Sequence, residues 1–237
     1  MNAFDSKALA PDLYLRGPTP QLANFRFAAF DMDSTLIAIE CIDEIAALAG
    51  KGEEVAAITE AAMRGEITDF RESLTRRLGL LAGQPEALLA RVLAERLRFN
   101  PGARELCAAL KAAGIKLGLV SGGFTFFTQY VAQELGMDFV RANALEVVDG
   151  KLTGRVLMQS WGDVVDAEEK RRFLLQHCEQ LGCSPSQAIA VGDGANDLLM
   201  MQAAGLSVAY CAKPKVREQA TVAINSGGLD QLLTVFG

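Results

Sequence analysis

Asp31 and Asp33 stand two residues apart in the segment DMDSTL, directly after the apolar run FRFAAF. In extended backbone that spacing points both side chains the same way. Crowded carboxylates repel, so the pair calls for a cation. Further along, IKLGLV ends on Ser121-Gly122-Gly123, and QAIAV ends on GDGAND, which supplies Asp193, Asn196 and Asp197. A single Asp among these reads as a turn or cap residue; the set together reads as a site. Mg²⁺, a hard cation held through oxygen, is typically bound by one or two carboxylates plus a substrate phosphate. A serine-glycine turn entering a helix offers a hydroxyl and free backbone N–H groups to an anion, although a plain tight turn uses the same residues. A carboxylate can attack a phosphoryl group and form an acyl phosphate. Attack of anion on anion needs relief from positive charge, and one cation ~4 Å away contributes on the order of 4 kcal/mol at an effective dielectric of ~20. Phosphoryl transfer is the chemistry that uses these residues together. Neither a P-loop nor a complete GxGxxG occurs, so nucleotide-binding loops of those kinds are not supported.

The elements that must position these groups follow from periodicity. FRFAAF (25–30), IKLGLV (115–120), QAIAV (187–191), 206–209 and 221–224 suit strands. Segments 103–113, 124–135, 166–181, 195–203 and 214–220 suit helices. Strands that alternate with helices imply a Rossmann-like, doubly wound α/β core with a mostly parallel sheet, and ligands bind beyond the carboxyl ends of such strands. If the three motif-bearing strands are neighbours, their polar ends form one site. From Ile37 to about Asn100 only helical spacing is found, over 41–49, 55–63, 70–81 and 85–99, with glycines between. This stretch reads as an all-helical insert. Asp149-Gly150 between two short apolar runs predicts a small β-hairpin. The expected division is a core of 27–37 plus 100–237, a helical cap of 38–99, and an irregular arm of 1–26, because Pro11, Pro18 and Pro20 suit neither helix nor central strand.

Composition narrows the function. The chain has 237 residues, 50% hydrophobic and 22% charged, with 23 Lys and Arg against 29 Asp and Glu. That is globular, and its net charge of −6 makes nucleic acid or an anionic membrane a poor partner. Five cysteines without a CxxC pair and a lone His177 argue against a disulfide scaffold, a zinc site or histidine catalysis. No leader-like segment and no membrane-spanning run is found, so a cytoplasmic location is expected.

DMDSTL, SGG, a later lysine and VGDGAND, in that order, resemble the haloacid-dehalogenase superfamily of aspartate-nucleophile phosphatases. DMDSTLIAIE, MRGEITDFRESLTRRL, VSGGFTFF and VGDGANDLLM resemble its phosphoserine phosphatase branch, and the resemblance runs from about Phe27 to Ile224. It implies a Mg²⁺-dependent enzyme that hydrolyses O-phospho-L-serine to serine and phosphate, the last step of serine biosynthesis. By that resemblance Asp31 is the nucleophile and a metal ligand. Asp33 is the general acid and base, with its backbone carbonyl on the metal, and Asp193 is a further metal ligand. Ser121, Gly122, Gly123 and Lys170 hold the phosphate, and Asn196 and Asp197 support water, metal and lysine. Glu40 faces the substrate ammonium, Arg77 binds its carboxylate, and Met63 and Phe70 close over it.

Other readings of the same residues stay open. Lys170, within Glu168-Glu169-Lys170-Arg171-Arg172, reads alone as a solvated helix position. Glu40 alone reads as a first-turn acid, Met63 and Phe70 as helix core, and Arg76 could replace Arg77 if the register moves by one. The same core could act on another small phosphomonoester, or pass phosphate to homoserine. A receiver-like signalling module also carries a phospho-aspartate on a parallel sheet, but it has no use for the insert. The expected oligomeric state is a monomer or homodimer.

Overall fold

The computed structural model describes the backbone of residues 6–63 and 66–237, and the side chains of residues 9–62 and 66–237. The chain begins with β1 (Ser6–Ala10) and β2 (Leu13–Arg16), paired antiparallel. This corrects the expected irregular arm over residues 6–16. Pro11 lies in the turn between the strands, where a missing N–H costs nothing. Leu13 and Leu15 alternate into the core while Tyr14 and Arg16 are only part-buried.

Next comes β3 (Phe27–Phe30), buried at every position. A parallel strand covered on both faces requires that pattern. Among the described residues the helices α1 (Cys41–Leu48), α2 (Gly52–Met63), α3 (Phe70–Gly79) and α4 (Ala87–Glu95) follow in turn. Asp69 caps α3 by accepting the Arg71 N–H (2.9 Å). The expected 85–99 helix is shorter at both ends. Pro85 bridges Lys151, and Phe99 bridges Ile37, so the two crossings between core and insert run side by side. Asn100 secures that crossing: its Nδ2 reaches the carbonyls of Ser34 (3.3 Å), Thr35 (2.8 Å) and Ile37 (3.1 Å).

The remainder alternates: α5 (Ala103–Ala112), β4 (Lys116–Phe124), α6 (Thr125–Leu135), β5 (Phe139–Val148), β6 (Lys151–Leu157), α7 (Ala167–Gln180), β7 (Ala188–Gly192), α8 (Leu198–Ala203), β8 (Leu206–Tyr210), α9 (Pro214–Gln219) and β9 (Val222–Ile224). Asp149 and Gly150 both take positive φ, 50° and 71°, as the tight turn between β5 and β6 demands. Backbone bonds join that hairpin to the insert, from Gly83 N–H to the Leu152 carbonyl (2.8 Å) and from Leu152 N–H to the Gln84 carbonyl (2.9 Å).

All the strands form one sheet in the order β1-β2-β9-β8-β7-β3-β4-β5-β6. It is parallel from β9 to β5, with an antiparallel piece at each end. Hydrophobic clusters pack on its two faces, one around Phe30, Leu119 and Phe127, the other around Phe27, Phe173 and Met200. Each fully buried large side chain stabilises by roughly 1.5–3 kcal/mol. The consequence for function is local. β3 lies directly between β4 and β7, so the three motif-bearing strand ends are adjacent.

Candidate active site

At the end of β3 the Asp31 N–H donates to the Val191 carbonyl of β7 (3.0 Å), which holds the Asp31 side chain at the sheet's carboxyl edge. The chain then turns tightly: the N–H groups of Thr35, Leu36 and Ile37 all reach the Met32 carbonyl. Asp33 leaves this turn with Oδ1 accepting the Cys41 N–H at the start of α1 (3.2 Å). Burial, reinforced by the nearby Glu40 charge, raises its pKa from 3.8 to about 7. Asp33 is thus poised to hold a proton near neutrality.

At the end of β4, Ser121 is fully buried and its Oγ accepts the Gly123 N–H (2.9 Å). At both glycines a side chain would crowd neighbouring side chains of the site. A Cβ on Gly123 would lie 2.5 Å from Asp33 Oδ2, and one on Gly122 would lie 2.9 Å from the Phe70 ring.

Behind these groups sits Lys170, carried by α7 and fully buried, with Nζ 2.6 Å from Oδ1 of both Asp31 and Asp197. Burial alone would favour a neutral amine, but the Asp197 and Asp31 carboxylates outweigh it and hold its pKa above the ordinary lysine value. At Asp31 the balance is reversed. Burial, aided by the Asp197 and Asp193 charges, outweighs Lys170 and raises its pKa well above the ordinary value. Lys170 is held as the ammonium, because Asp31 and Asp197 both contact its Nζ.

Asp197 uses its other oxygen as well: Oδ2 accepts the N–H groups of Asp193 (3.1 Å) and Gly194 (3.0 Å). Its oxygens are therefore committed within the protein. Asp193 accepts the Thr35 hydroxyl (3.3 Å), and burial, then Asp197, raises its pKa to about 6. Carboxylate oxygens of Asp31, Asp193 and Asp197 lie within 4.8 Å of one another. When all three are ionised, three carboxylates against one ammonium leave two negative charges in excess, and oxygen donors of this kind fit a hard divalent cation. Asp31 and Asp193 keep oxygens free to bind one.

A cavity of about 1050 Å³ opens onto these groups. From the sheet side it meets Asp31, Asp33, Ser121, Gly122, Gly123, Asp193 and Asn196; from the insert, Glu40, Phe70 and Arg77. Lys170 and Asp197 lie beneath its floor, unexposed. Glu40 Oε1 accepts the Ser34 hydroxyl (2.8 Å). Among the described residues Arg77 donates only to the Ser73 carbonyl, from Nε at 3.4 Å, which leaves its terminal nitrogens for the cavity. Burial lowers its pKa, opposed by Asp43, Glu40 and Asp33. Arg76 is instead an exposed partner of Glu72. The Met63 side chain lies outside the described residues.

Several residues here escape motif reading. Asp43 lies near Arg77 with a buried Oδ1 that makes no hydrogen bond. Thr35 tethers Asp193, and Asn100 secures the turn after Asp33. Asn143 is fully buried beside the Ser-Gly-Gly turn. An asparagine in a strand-like run is the one signal that could have drawn attention to it.

The sequence profile of the haloacid dehalogenase-like hydrolases matches residues 25–205. The chain belongs to the haloacid dehalogenase-like hydrolases. This hydrolase is similar to a phosphoserine phosphatase of Albidiferax ferrireducens, with 60% identity across 97% of this chain and 98% of that one. Among solved structures it is similar to a probable phosphoserine phosphatase from Vibrio cholerae in unliganded form. That match has 48% identity and a TM-score of 0.80, and covers 94% of this chain and 67% of that one. It is also similar to a phospho-aspartyl intermediate analogue of phosphoserine phosphatase, with 38% identity and a TM-score of 0.82, over 90% and 99% of the two chains. Among the described residues no helix is long and apolar enough to cross a membrane.

Proposed function

We propose that this hydrolase is a phosphoserine phosphatase: it hydrolyses O-phospho-L-serine to L-serine and phosphate, the last step of serine biosynthesis, through a phosphoryl group carried on Asp31. The observation that carries the reading is the polarity of one cavity. Its sheet side presents Asp31, the Ser121 turn and Lys170 below, a seat for a phosphoryl group. Its insert side presents Glu40 and Arg77, an acid and a fork-shaped cation suited to the ammonium and carboxylate of an amino acid. Relatives named phosphoserine phosphatase, matched along nearly the whole chain, support the same substrate.

Asp31 attacks phosphorus as the bond to the serine oxygen breaks. Asp33 gives its proton to that oxygen, and then takes one from the water that attacks the phosphoryl group and frees Asp31. Lys170, the Ser121 hydroxyl and the Gly122 N–H bind phosphoryl oxygens, and Gly123 shapes that phosphate turn with its N–H on Ser121 Oγ. Asn196 and Asp197 hold water and Lys170 in place. Mg²⁺, held by Asp31, Asp193 and the backbone carbonyl of Asp33, would supply further charge relief. Residues 38–99 form the cap, in which Met63 and Phe70 cover the substrate, and 27–37 with 100–237 form the core. Closing the cap excludes water before attack. The enzyme works in the cytoplasm as a monomer or homodimer, with no nucleic-acid or membrane partner.

Phosphate release from L-phosphoserine, D-phosphoserine, phosphothreonine and phosphohomoserine, with and without Mg²⁺ and with homoserine added as acceptor, tests this. The expected result is Mg²⁺-dependent release with L-phosphoserine preferred. No release from L-phosphoserine, or transfer to homoserine in place of water, would overturn it.

A further inference from the structure

The ladder between β4 and β5 breaks at the phosphate turn. Ser121 pairs with Ala142 and Phe124 with Asn143, so Gly122 and Gly123 bulge out of it. A part-buried carbonyl set free in this way is left to find a donor outside the ladder. The Gly122 carbonyl finds Asn143, whose Nδ2 donates to it at 2.7 Å. The Asn143 Oδ1 accepts the Val165 N–H at 2.8 Å. One partner can only accept and the other can only donate, so the orientation of this fully buried amide is fixed by its neighbours.

Two consequences follow. The peptide between Gly122 and Gly123 is planar and trans, so its C=O and N–H point opposite ways. With the carbonyl held by Asn143, the Gly123 N–H is aimed at Ser121 Oγ, 2.9 Å away. A hydroxyl that accepts there has its own proton free to donate elsewhere. The other arm reaches α7. Val165 precedes Asp166, whose side chain caps that helix at the Glu169 N–H (2.9 Å) and whose carbonyl accepts the Lys170 N–H (3.0 Å).

We propose that Asn143 is a positioning residue: it turns the Ser121 hydroxyl proton toward the phosphoryl group and ties the Ser-Gly-Gly turn to the start of the helix that carries Lys170. The inference rests on the assignment of that turn and Lys170 to phosphate under the proposed function.

Calorimetry on the full-length, Mg²⁺-loaded protein tests it, with inorganic phosphate and L-serine as separate probes and with kcat and KM measured alongside. Asn143→Ala should weaken phosphate binding about 10- to 100-fold, the range expected when a buried hydrogen-bonding network loses a partner. Binding of L-serine, which uses Glu40 and Arg77, should stay within twofold. If Asn143→Ala does not fold, Asn143→Ser, which keeps a small polar group, carries the same comparison. A folded variant with unchanged phosphate affinity, or with both probes weakened alike, would overturn the proposal. Wild-type protein that binds phosphate but does not hydrolyse phosphoserine would instead count against the proposed substrate.

Discussion

Lys170 Nζ lies 2.6 Å from Asp31 Oδ1, although the two residues are 139 positions apart in the chain. The contact is unexposed at the lysine and nearly so at the aspartate, so each charge depends on the other for its burial. Lys170→Met leaves Asp31 and Asp197 without their buried partner. Breaking a buried pair costs about 3–5 kcal/mol, which for a chain of this size is roughly 10 °C in Tm. Thermal melting should show that fall and turnover should be lost. A variant with unchanged Tm and activity would contradict the account.

Asp33 tests the proton transfer. Asp33→Asn cannot protonate the serine oxygen, so kcat/KM on L-phosphoserine should drop about 100- to 10,000-fold. A p-nitrophenyl ester has a leaving group that needs no proton, and its release step should lose far less. Burst measurements on both substrates separate the two, and equal losses would remove Asp33 from the role of acid.

The insert should govern substrate choice. Arg77→Ala should raise KM for L-phosphoserine while sparing a monoester that lacks a carboxylate. Arg76→Ala, which removes only an exposed pair with Glu72, should leave both within twofold. Steady-state kinetics on the two substrates decide it; a KM effect from Arg76 alone would move the carboxylate contact to that residue.

Stability should depend on pH in the direction opposite to that of ordinary paired carboxylates. Burial raises Asp33 to about 7 and Asp193 to about 6, against 3.8 for a free aspartate. Such groups bind protons more tightly in the folded chain. Their contribution is therefore fully present below pH ~3.8 and is lost as pH rises through 6 to 7. A divalent cation binds the ionised forms, so adding Mg²⁺ should raise Tm more at pH 8 than at pH 5. Asp193→Asn should raise the metal-free Tm at pH 8 and abolish the Mg²⁺ increment. Equal increments at both pH values would refute this.

The chain order of apolar runs already implies that Asp31, Ser121 and Asp193 close three strands, because β-strand and helix periods differ and polar motifs end each run. Adjacency of those strands is a long-range fact, set by parallel pairing of β3 with both β4 and β7. Lys170 shows what local pattern misses: its neighbours are charged and helical, and only packing of α7 against two distant aspartates buries it. Arg76 and Arg77 are equivalent in composition and differ only in which side of α3 they occupy. Pro11 conceals the N-terminal hairpin, because a proline that breaks a strand is also at home in the turn between two. Asn143 carries no motif at all; its importance comes from a bulge in β4 that no local spacing announces.

The phosphoryl-aspartate is the centre of the account. Acid quenching of the Mg²⁺-loaded protein during turnover of ³²P-labelled L-phosphoserine, followed by peptide mapping, tests it most directly. Hydroxylamine-labile label is expected on the peptide that contains Asp31, and none in Asp31→Asn, which should also be inactive. Turnover at near wild-type rate by Asp31→Asn, or label on another residue, would contradict it.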